Sequence, residues 1–252
     1  MKIGVVGTGI AGNVVAYRLA QDHDVTVFEA NDYVGGHSNT VEINTPNGRL
    51  ALDTGFIVFN DRTYPNFIAL LDELGVESQE SSMSFSVQCE RTALEYNGAT
   101  LNTLFAQRKN LLRPGFHRMI RDILRFNREA LTLLDGMSPD LSLAGYLREG
   151  SYSREFVEHY LIPMGAAIWS AKPDMMREMP AHFFVRFFHN HGLLTLKDRP
   201  VWRVIRGGSQ RYVEKLVAGH ANRIRLRTPV RGISRTPRSV TVLTDGEAPE
   251  SF

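Results

Sequence analysis

Cysteine is almost absent from this chain of 252 residues. The single copy, Cys89, excludes an intrachain disulfide and any metal site built from cysteines. The chain also contains no run of eighteen apolar residues, so no membrane-spanning helix is predicted. Met1 leads directly into an apolar segment, which leaves no room for a secretory signal peptide. Together these absences predict a protein of the reducing cytoplasm.

Strong charge of one sign is absent as well. A formal net charge of +2 argues against a dedicated nucleic-acid binder, and 43% hydrophobic with 22% charged residues is ordinary for a globular chain. The charge is nevertheless uneven. The first 100 residues carry 5 basic and 13 acidic side chains, and the rest carry 24 and 14. The basic part is suited to an anionic substrate, partner or membrane surface.

The start of the chain has the pattern of a phosphate-binding strand, turn, helix and strand. An apolar strand at 2–6 is followed by Gly-Thr-Gly-Ile-Ala-Gly at 7–12, an amphipathic helix, and a second apolar strand at 25–28 that ends on Glu29. Gly7 permits a tight turn, Gly9 lets the backbone approach a pyrophosphate, and Gly12 lets the helix pack close to the strand. The order of these parts predicts an adenine-dinucleotide site, with Glu29 placed to bind a ribose.

A glycine doublet downstream narrows the type of dinucleotide. Gly35 and Gly36 follow Glu29 after a short spacer and precede His37. An acid, a spacer and a Gly-Gly doublet in this order resemble the flavin-containing amine oxidase and phytoene desaturase superfamily. Relatives usually carry arginine after the doublet. The imidazole of His37 can donate to a phosphate, but it cannot form the two-pronged contact of a guanidinium.

Further segments resemble the same superfamily. Residues 52–59 resemble the Asp-x-Gly segment that runs beside the flavin ring, and residues 204–209 resemble the return into the FAD-binding domain. Residues 228–233 resemble the strand whose valine, here Val230, pairs with adenine. Residues 163–170 resemble a group of bacterial FAD-dependent amine oxidase-like oxidoreductases.

The resemblance implies an α/β fold. We expect a Rossmann-like, glutathione-reductase-like FAD-binding domain with a parallel sheet, formed by residues 1–75 and 201–252, and an inserted, mainly helical substrate domain at 76–200. The periodicity predicts helices at 64–74 and 209–218 and strands at 83–88, 224–226 and 240–243.

The resemblance also implies FAD as the cofactor and assigns its binding residues. Glu29 would bind the adenosine ribose, the residues after the doublet would bind the phosphates and ribityl chain, and Val230 would border the adenine. The full set is Gly7, Gly9, Ile10, Ala11, Gly12, Glu29, Ala30, Gly35, Gly36, His37, Ser38, Gly55, Phe56, Ile57 and Val230.

The end of the chain predicts an incomplete sheet. A strand at 240–244 is followed by the turn signal Asp245-Gly246, and we expect no partner strand before the chain stops at Phe252. This interpretation makes the chain a C-terminally incomplete flavoprotein; the alternative is a natural short form that completes its fold with another chain. In either case the unpaired sheet edge favours self-association.

Two clusters each allow two interpretations. Phe183, Phe184, Phe187 and Phe188 predict one apolar helix face, which either packs in the core or lines a substrate cavity with Trp169; the cavity residues would be Trp169, Phe184 and Phe188. No metal site is predicted, because His189 and His191 lack a third ligand. The basic stripe Arg118, Arg121, Arg125 and Arg128 is either a solvated helix face or a docking face for a membrane or acyl substrate.

These patterns support three functional hypotheses. The first is an FAD-dependent oxidoreductase that takes a hydride equivalent from a C–N or C–C bond of a small or lipid-like substrate, with amine oxidation as the family default and acyl desaturation as its rival. The others are a non-catalytic FAD-binding fragment and an NAD-dependent dehydrogenase. No catalytic residue is identified. Asp53 is expected to hold a turn rather than to act as a base.

Overall fold

The computed structural model describes residues 1–136, 140–246 and 248–252, and the chain divides into two units. The first unit consists of Met1–Ser81 and Val201–Phe252, and the second consists of Ser82–Pro200. The first segment extends beyond the expected end near residue 75, because the strand at Ser78–Glu80 pairs with the strand at Trp202–Ile205 in the same unit.

The elements follow one another in this order along the chain. The strands are β1 (Lys2–Val6), β2 (Asp24–Phe28), β3 (Thr40–Thr45), β4 (Gly48–Asp53), β5 (Phe59–Asn60), β6 (Ser78–Glu80), β7 (Ser86–Cys89), β8 (Leu94–Asn97), β9 (Trp202–Ile205), β10 (Ile224–Arg225), β11 (Val230–Arg235), β12 (Val240–Thr244) and β13 (Glu250–Ser251). The helices are α1 (Ile10–Leu19), α2 (Pro65–Leu74), α3 (Leu101–Leu104), α4 (Pro114–Glu129), α5 (Thr132–Asp135), α6 (Leu143–Glu149), α7 (Arg154–Phe156), α8 (Ile162–Trp169), α9 (Pro173–Glu178), α10 (Ala181–Asn190) and α11 (Gln210–Val217).

A parallel sheet in the order β1-β2-β10 forms the base of the first unit. Val25 and Val27 of β2 are buried, and α1 presses the fully buried Ala16 against them. Val25 and Val27 share one face of β2, and Phe28, on the other face, is buried as well. The predicted Rossmann-like arrangement with a parallel sheet is confirmed.

A second core in this unit is held by aromatic and aliphatic residues of α2 and α11. The predicted helix at 64–74 is present as α2, and Gly75 ends it in a left-handed conformation with φ of 60°. Antiparallel strands β5, β9 and β6 lie beside these helices and contribute Phe59 and Ile205 to the core. Strand β9 therefore joins the late segment of the unit to the early one.

The expectation of an unpaired C-terminal strand is wrong. Strand β12 pairs antiparallel with β11 on one side and with the short β13 on the other. Phe252 exchanges two backbone hydrogen bonds with Val240, at 2.8 and 3.0 Å, and its ring lies edge-on to Phe28 at 5.9 Å. Residues 228–233, which the resemblance assigns to cofactor binding, contribute the first part of this partner strand β11.

The β3–β4 hairpin is an element that the sequence analysis missed. Val41 pairs with Leu52 and Ile43 with Leu50, so these four apolar side chains share one face of the hairpin. Asn47-Gly48 between two alternating segments is a hairpin signal, and it would have predicted this element.

The second unit is mainly helical, as expected. Its strand pair, β7–β8, begins at Ser86 rather than at residue 83. Residues 163–169 form most of α8, with Pro163 in the first turn, where proline is tolerated. A separate hydrophobic core holds this unit together and includes Phe126, Phe156 and Phe184.

Candidate functional site

The Gly7–Gly12 turn has the close backbone approach that its glycines predict. Gly7 has a φ of 89°, and its N–H donates to the carbonyl of Phe28 at 2.7 Å, which ties the turn to the end of β2. A Cβ atom on Gly12 would lie 2.0 Å from the carbonyl oxygen of Gly7, so α1 can approach the turn only because residue 12 lacks a side chain.

Gly9 differs from Gly12 in what surrounds it. It caps α1 with an extended backbone, φ −64° and ψ 175°, and no atom lies within 4 Å of the position that a Cβ would take. The first N–H groups of the helix, on Ile10, Ala11 and Gly12, have no acceptor within the helix. The turn therefore offers unpaired donors and open space at the positive end of the helix dipole, which suits an anionic group.

The carboxylate of Glu29 stabilises the Gly7–Gly12 turn through hydrogen bonds. One oxygen accepts hydrogen bonds from the backbone N–H (2.8 Å) and the hydroxyl of Thr8, and the other accepts from Asn31 N–H at 2.8 Å. Burial raises the pKa of Glu29, but these hydrogen bonds outweigh burial and hold the pKa below its ordinary value. Ribose binding by Glu29 stays a prediction. What the structure shows is a carboxylate that positions the turn.

The glycine doublet lies against the same turn. Gly35, with a φ of 122°, donates from its N–H to the carbonyl of Thr8 at 3.0 Å. A Cβ on Gly36 would lie 3.2 Å from the Cα of Gly9. The doublet is needed because the two segments pass each other at backbone distance, and larger residues would separate them.

The segment around Gly55 completes the site. Phe56 N–H donates to the carbonyl of His37 at 2.8 Å, and a Cβ on Gly55 would lie 2.2 Å from that same oxygen. A mostly polar cavity of about 310 Å³ opens here, lined by Asn31, Tyr33, Gly36, His37, Asn39, Thr54 and Gly55. The His37 side chain is exposed at this cavity, and no hydrogen bond to its ring is present within the described part of the chain.

Polar contacts behind the cavity fix it to α11. Asp53 accepts hydrogen bonds from Ser209 N–H at 2.7 Å and from the Thr40 hydroxyl at 2.7 Å, so it holds the chain as expected. The buried Ser38 hydroxyl bonds to the Tyr212 hydroxyl, and burial raises the pKa of that tyrosine. The sequence gives no local signal for the roles of Thr8 and Tyr212. Thr8 is 21 residues away from its partner Glu29, and Tyr212 is 174 residues away from its partner Ser38.

The other assigned residues lie at the margins of this site. Ala30 and Ile57 are exposed, whereas the Phe56 ring packs edge-on to Phe67 at 5.3 Å. Val230 begins β11, and the chain just before it is tied to β2 because Thr228 N–H donates to the Glu29 carbonyl at 2.8 Å. The first unit thus brings together the turn, the doublet and residues 53–56, with Val230 approaching from the Glu29 side.

In the second unit, the aromatic cluster forms part of the core. Phe184 and Phe188 are buried and stacked 4.1 Å apart, and Trp169 packs 4.6 Å from Phe187. Phe183 is about half exposed, so the four phenylalanines do not share one buried face. The assignment of Trp169, Phe184 and Phe188 to a substrate cavity stays a prediction.

The basic stripe on α4 divides into two parts. Arg118 pairs with Glu155 at 2.5 Å, and Arg125 lies over the Tyr152 ring at 3.9 Å, so both contact their own unit. Arg121 and Arg128 remain largely exposed. Neither a cluster of three metal-ligating side chains nor a helix suited to crossing a bilayer occurs in residues 1–136, 140–246 and 248–252.

Comparison with known proteins agrees with this geometry. Residues 10–250 match the family model described as flavin containing amine oxidoreductase. AofH of Mycobacterium tuberculosis, whose name places it among flavin-containing monoamine oxidases, is 30% identical over 268 aligned positions, covering 100% of this chain and 56% of AofH. The 4,4'-diapophytoene desaturase of Staphylococcus aureus is 49% identical over 43 residues, 17% of this chain and 9% of the desaturase.

The fold also matches solved structures. Cyclohexylamine oxidase from Brevibacterium oxydans superposes with a TM-score of 0.70 at 20% identity, covering 99% of this chain and 56% of that protein. The chain thus spans little more than half the length of AofH and of cyclohexylamine oxidase.

Proposed function

The chain belongs to the flavin-containing amine oxidoreductases, whose cofactor is FAD, and on that premise we propose that its first unit binds FAD in an enzyme that oxidises a C–N bond. The observation that carries this proposal is the contrast between two glycines. A side chain on Gly12 would meet the protein itself, whereas one on Gly9 would meet only open space in front of a helix N-terminus. That space fits a pyrophosphate.

Different residues of the first unit would bind different parts of FAD. The N–H groups of Ile10, Ala11 and Gly12 would donate to the pyrophosphate, and the cavity at Gly36, His37 and Gly55 would take the adjoining chain. Glu29 would bind the adenosine ribose while it holds the turn, since a carboxylate has about four acceptor positions. Val230 would border the adenine.

The flavin, when bound, supplies the capacity to accept a hydride equivalent from the substrate. The contribution of this chain is position. Glu29 fixes the Gly7–Gly12 turn, Asp53 fixes the end of β4, and the half-buried Phe56 ring packs against Phe67 next to Gly55. These groups act through rigid contacts, so the binding surface is formed before the cofactor arrives.

An amine is the substrate class we propose. The match to AofH extends over the whole chain, and cyclohexylamine oxidase shares the fold. Acyl desaturation is the second candidate, because the S. aureus desaturase shows the higher identity, although over 43 residues only. The substrate would be a small molecule in the first case and a lipid-like molecule in the second.

A titration of the purified chain with FAD tests the cofactor site. We expect the absorption spectrum of a protein-bound flavin, and at least about tenfold weaker binding in Gly9→Ala, because the added methyl group would project toward the pyrophosphate. Gly219→Ala is the matched control, since a Cβ there also meets no atom within 4 Å. Equal FAD affinity in both variants would contradict the proposed site.

Anaerobic mixing then separates the two substrate classes. The flavin-loaded chain is mixed with a primary-amine series that includes cyclohexylamine and, separately, with acyl or polyene substrates. Loss of the oxidised flavin band with amines alone supports amine oxidation, and loss with the acyl or polyene compounds alone supports desaturation.

A further inference from the structure

One face of the second unit combines exposed leucines with basic side chains. It consists of the short 3₁₀-helical turn Arg108–Leu112 and of His117, Arg121, Leu124 and Arg128 on α4, and we name it the basic-leucine face. Leu112 is 88% exposed, and Leu111 and Leu124 are each 50% exposed. Such exposure is unusual for adjacent leucines, because burying a leucine side chain away from water lowers the free energy.

The helix geometry places these residues on one side. The buried positions of α4 are Phe116, Met119, Asp122 and Phe126. The exposed positions His117, Arg121, Leu124 and Arg128 also recur every three or four residues, which places them together on the opposite side of the helix. The ring of His117 is hydrogen-bonded to the Leu111 carbonyl, with 2.9 Å between Nε2 and the oxygen. This bond holds the leucine turn beside the first turn of the helix, so the two parts form a continuous surface.

The charge of this segment is strongly one-sided. From Arg108 to Arg128 the chain carries seven basic residues and one acidic residue, Asp122, which is buried. Two acids on adjoining segments offset part of this charge: Glu155 pairs with Arg118, and Glu129 lies 3.3 Å from Arg128. The turn with Leu111 and Leu112 is thus bordered by Arg108, Lys109 and Arg113.

From this combination we infer that the basic-leucine face docks the chain on an anionic lipid bilayer. Leucines at the tip enter the boundary between headgroups and acyl chains, while the surrounding cations contact lipid phosphates. A nucleic acid would satisfy the cations but would leave the leucine pair in water. A mostly apolar cavity of about 330 Å³, lined by Leu112, Phe116 and Met119 among others, opens at the same turn and offers space for an acyl chain.

Vesicle sedimentation of the full chain tests this inference, independently of FAD binding. We expect binding to vesicles of phosphatidylcholine with about one-third phosphatidylglycerol, much weaker binding to pure phosphatidylcholine, and release at high salt. Leu111→Ser/Leu112→Ser should lower the partition coefficient at least about tenfold. Lys109→Glu/Arg121→Glu should lower it at least about 25-fold, since each basic residue near the surface contributes about fivefold.

Matched variants separate the face from general stickiness. Leu196→Ser/Leu226→Ser replaces two other exposed leucines, and Arg235→Glu/Arg238→Glu reverses two other exposed cations. Both should bind nearly as the unaltered chain does, and circular dichroism should show that all four variants are folded. Absence of vesicle binding overturns the inference; this is the result expected if the face binds an acidic protein instead. Loss in the charge variant without loss in the leucine variant, or equal loss in face and control variants, overturns it too.

Discussion

The first unit is shaped at its site by glycines, whereas the second unit is shaped in its core by aromatic rings. Gly12 and Gly55 each let two backbone segments approach more closely than a side chain would permit, and Gly7 adopts a positive φ of 89°. Phe184 and Phe188 instead fill space and stack at 4.1 Å. The site of the first unit therefore requires the absence of a side chain at particular positions, whereas the core of the second unit requires large apolar side chains.

This difference explains why the two units reveal their functions unequally. A backbone cradle for a phosphate needs glycine at defined positions, so its sequence pattern is specific. A core needs only apolar residues at a helical or strand period, and many substitutions satisfy it. The first unit can accordingly be assigned a ligand, while the second can be assigned packing.

Removing an aromatic ring from the second unit is expected to have the largest effect on stability. Phe188→Ala should lower the free energy of unfolding by about 3–5 kcal/mol, because it leaves a cavity beside Phe184. Phe183→Ala, at a half-exposed position, is the control and should cost far less. Denaturant unfolding measures both. Equal losses would mean that the stacked pair is not central to this core.

Adding a single methyl group to the first unit should come next. Gly12→Ala places a Cβ against the Gly7 carbonyl, and we expect a loss of about 3 kcal/mol in the free energy of unfolding. Gly219→Ala has open space and should change stability by less than about 0.5 kcal/mol. The comparison between the units breaks down if Gly12→Ala unfolds at the same denaturant concentration as the unaltered chain.

The strand, turn, helix and second strand could be predicted from the sequence because each part has a local signature. The β3–β4 hairpin could have been predicted too, since Asn47-Gly48 lies between alternating segments. The pairing of β12 with β11 was overlooked because residues near Val230 were considered only for adenine.

Other features have no local signature. Thr8 lies 21 residues from its partner Glu29, and Ser38 lies 174 residues from Tyr212. Periodicity predicted the helix that carries Phe183, yet it could not show that this ring lies outside the core. Such details depend on which other segments pack nearby, and that information is spread over the chain.

Glu29 provides a pH-dependent test of the glycine cradle, by which we mean the Gly7–Gly12 turn with the Gly35-Gly36 doublet and Gly55. Glu29→Gln should lower stability by about 2 kcal/mol at pH 7, because the buried carboxylate accepts charge-assisted hydrogen bonds from Thr8 and Asn31. Since the pKa of Glu29 is lowered in the folded chain, this stabilisation is present above the ordinary carboxyl pKa of about 4.3 and is lost as the pH falls through the lowered value.

The measurement is denaturant unfolding of the unaltered chain and Glu29→Gln between pH 7 and pH 3. The gap between the two should narrow toward acid. Glu80→Gln, at an exposed position, is the control and should show little gap at any pH. A gap for Glu29→Gln that stays constant with pH would show that the charge of this side chain does not hold the turn.

The smallest expected effect concerns a position where a side chain, rather than the absence of one, would contact the phosphates of the cofactor. His37 borders the polar cavity beside Gly36 and Gly55, and a guanidinium there can bind a phosphate through two parallel hydrogen bonds, which an imidazole cannot. His37→Arg should therefore tighten FAD binding about fivefold without changing stability. His189→Arg in the second unit is the matched control and should leave FAD affinity unchanged. If His37→Arg binds FAD no better than the unaltered chain, the side chain at 37 does not face the phosphates, and the cradle works through its backbone alone.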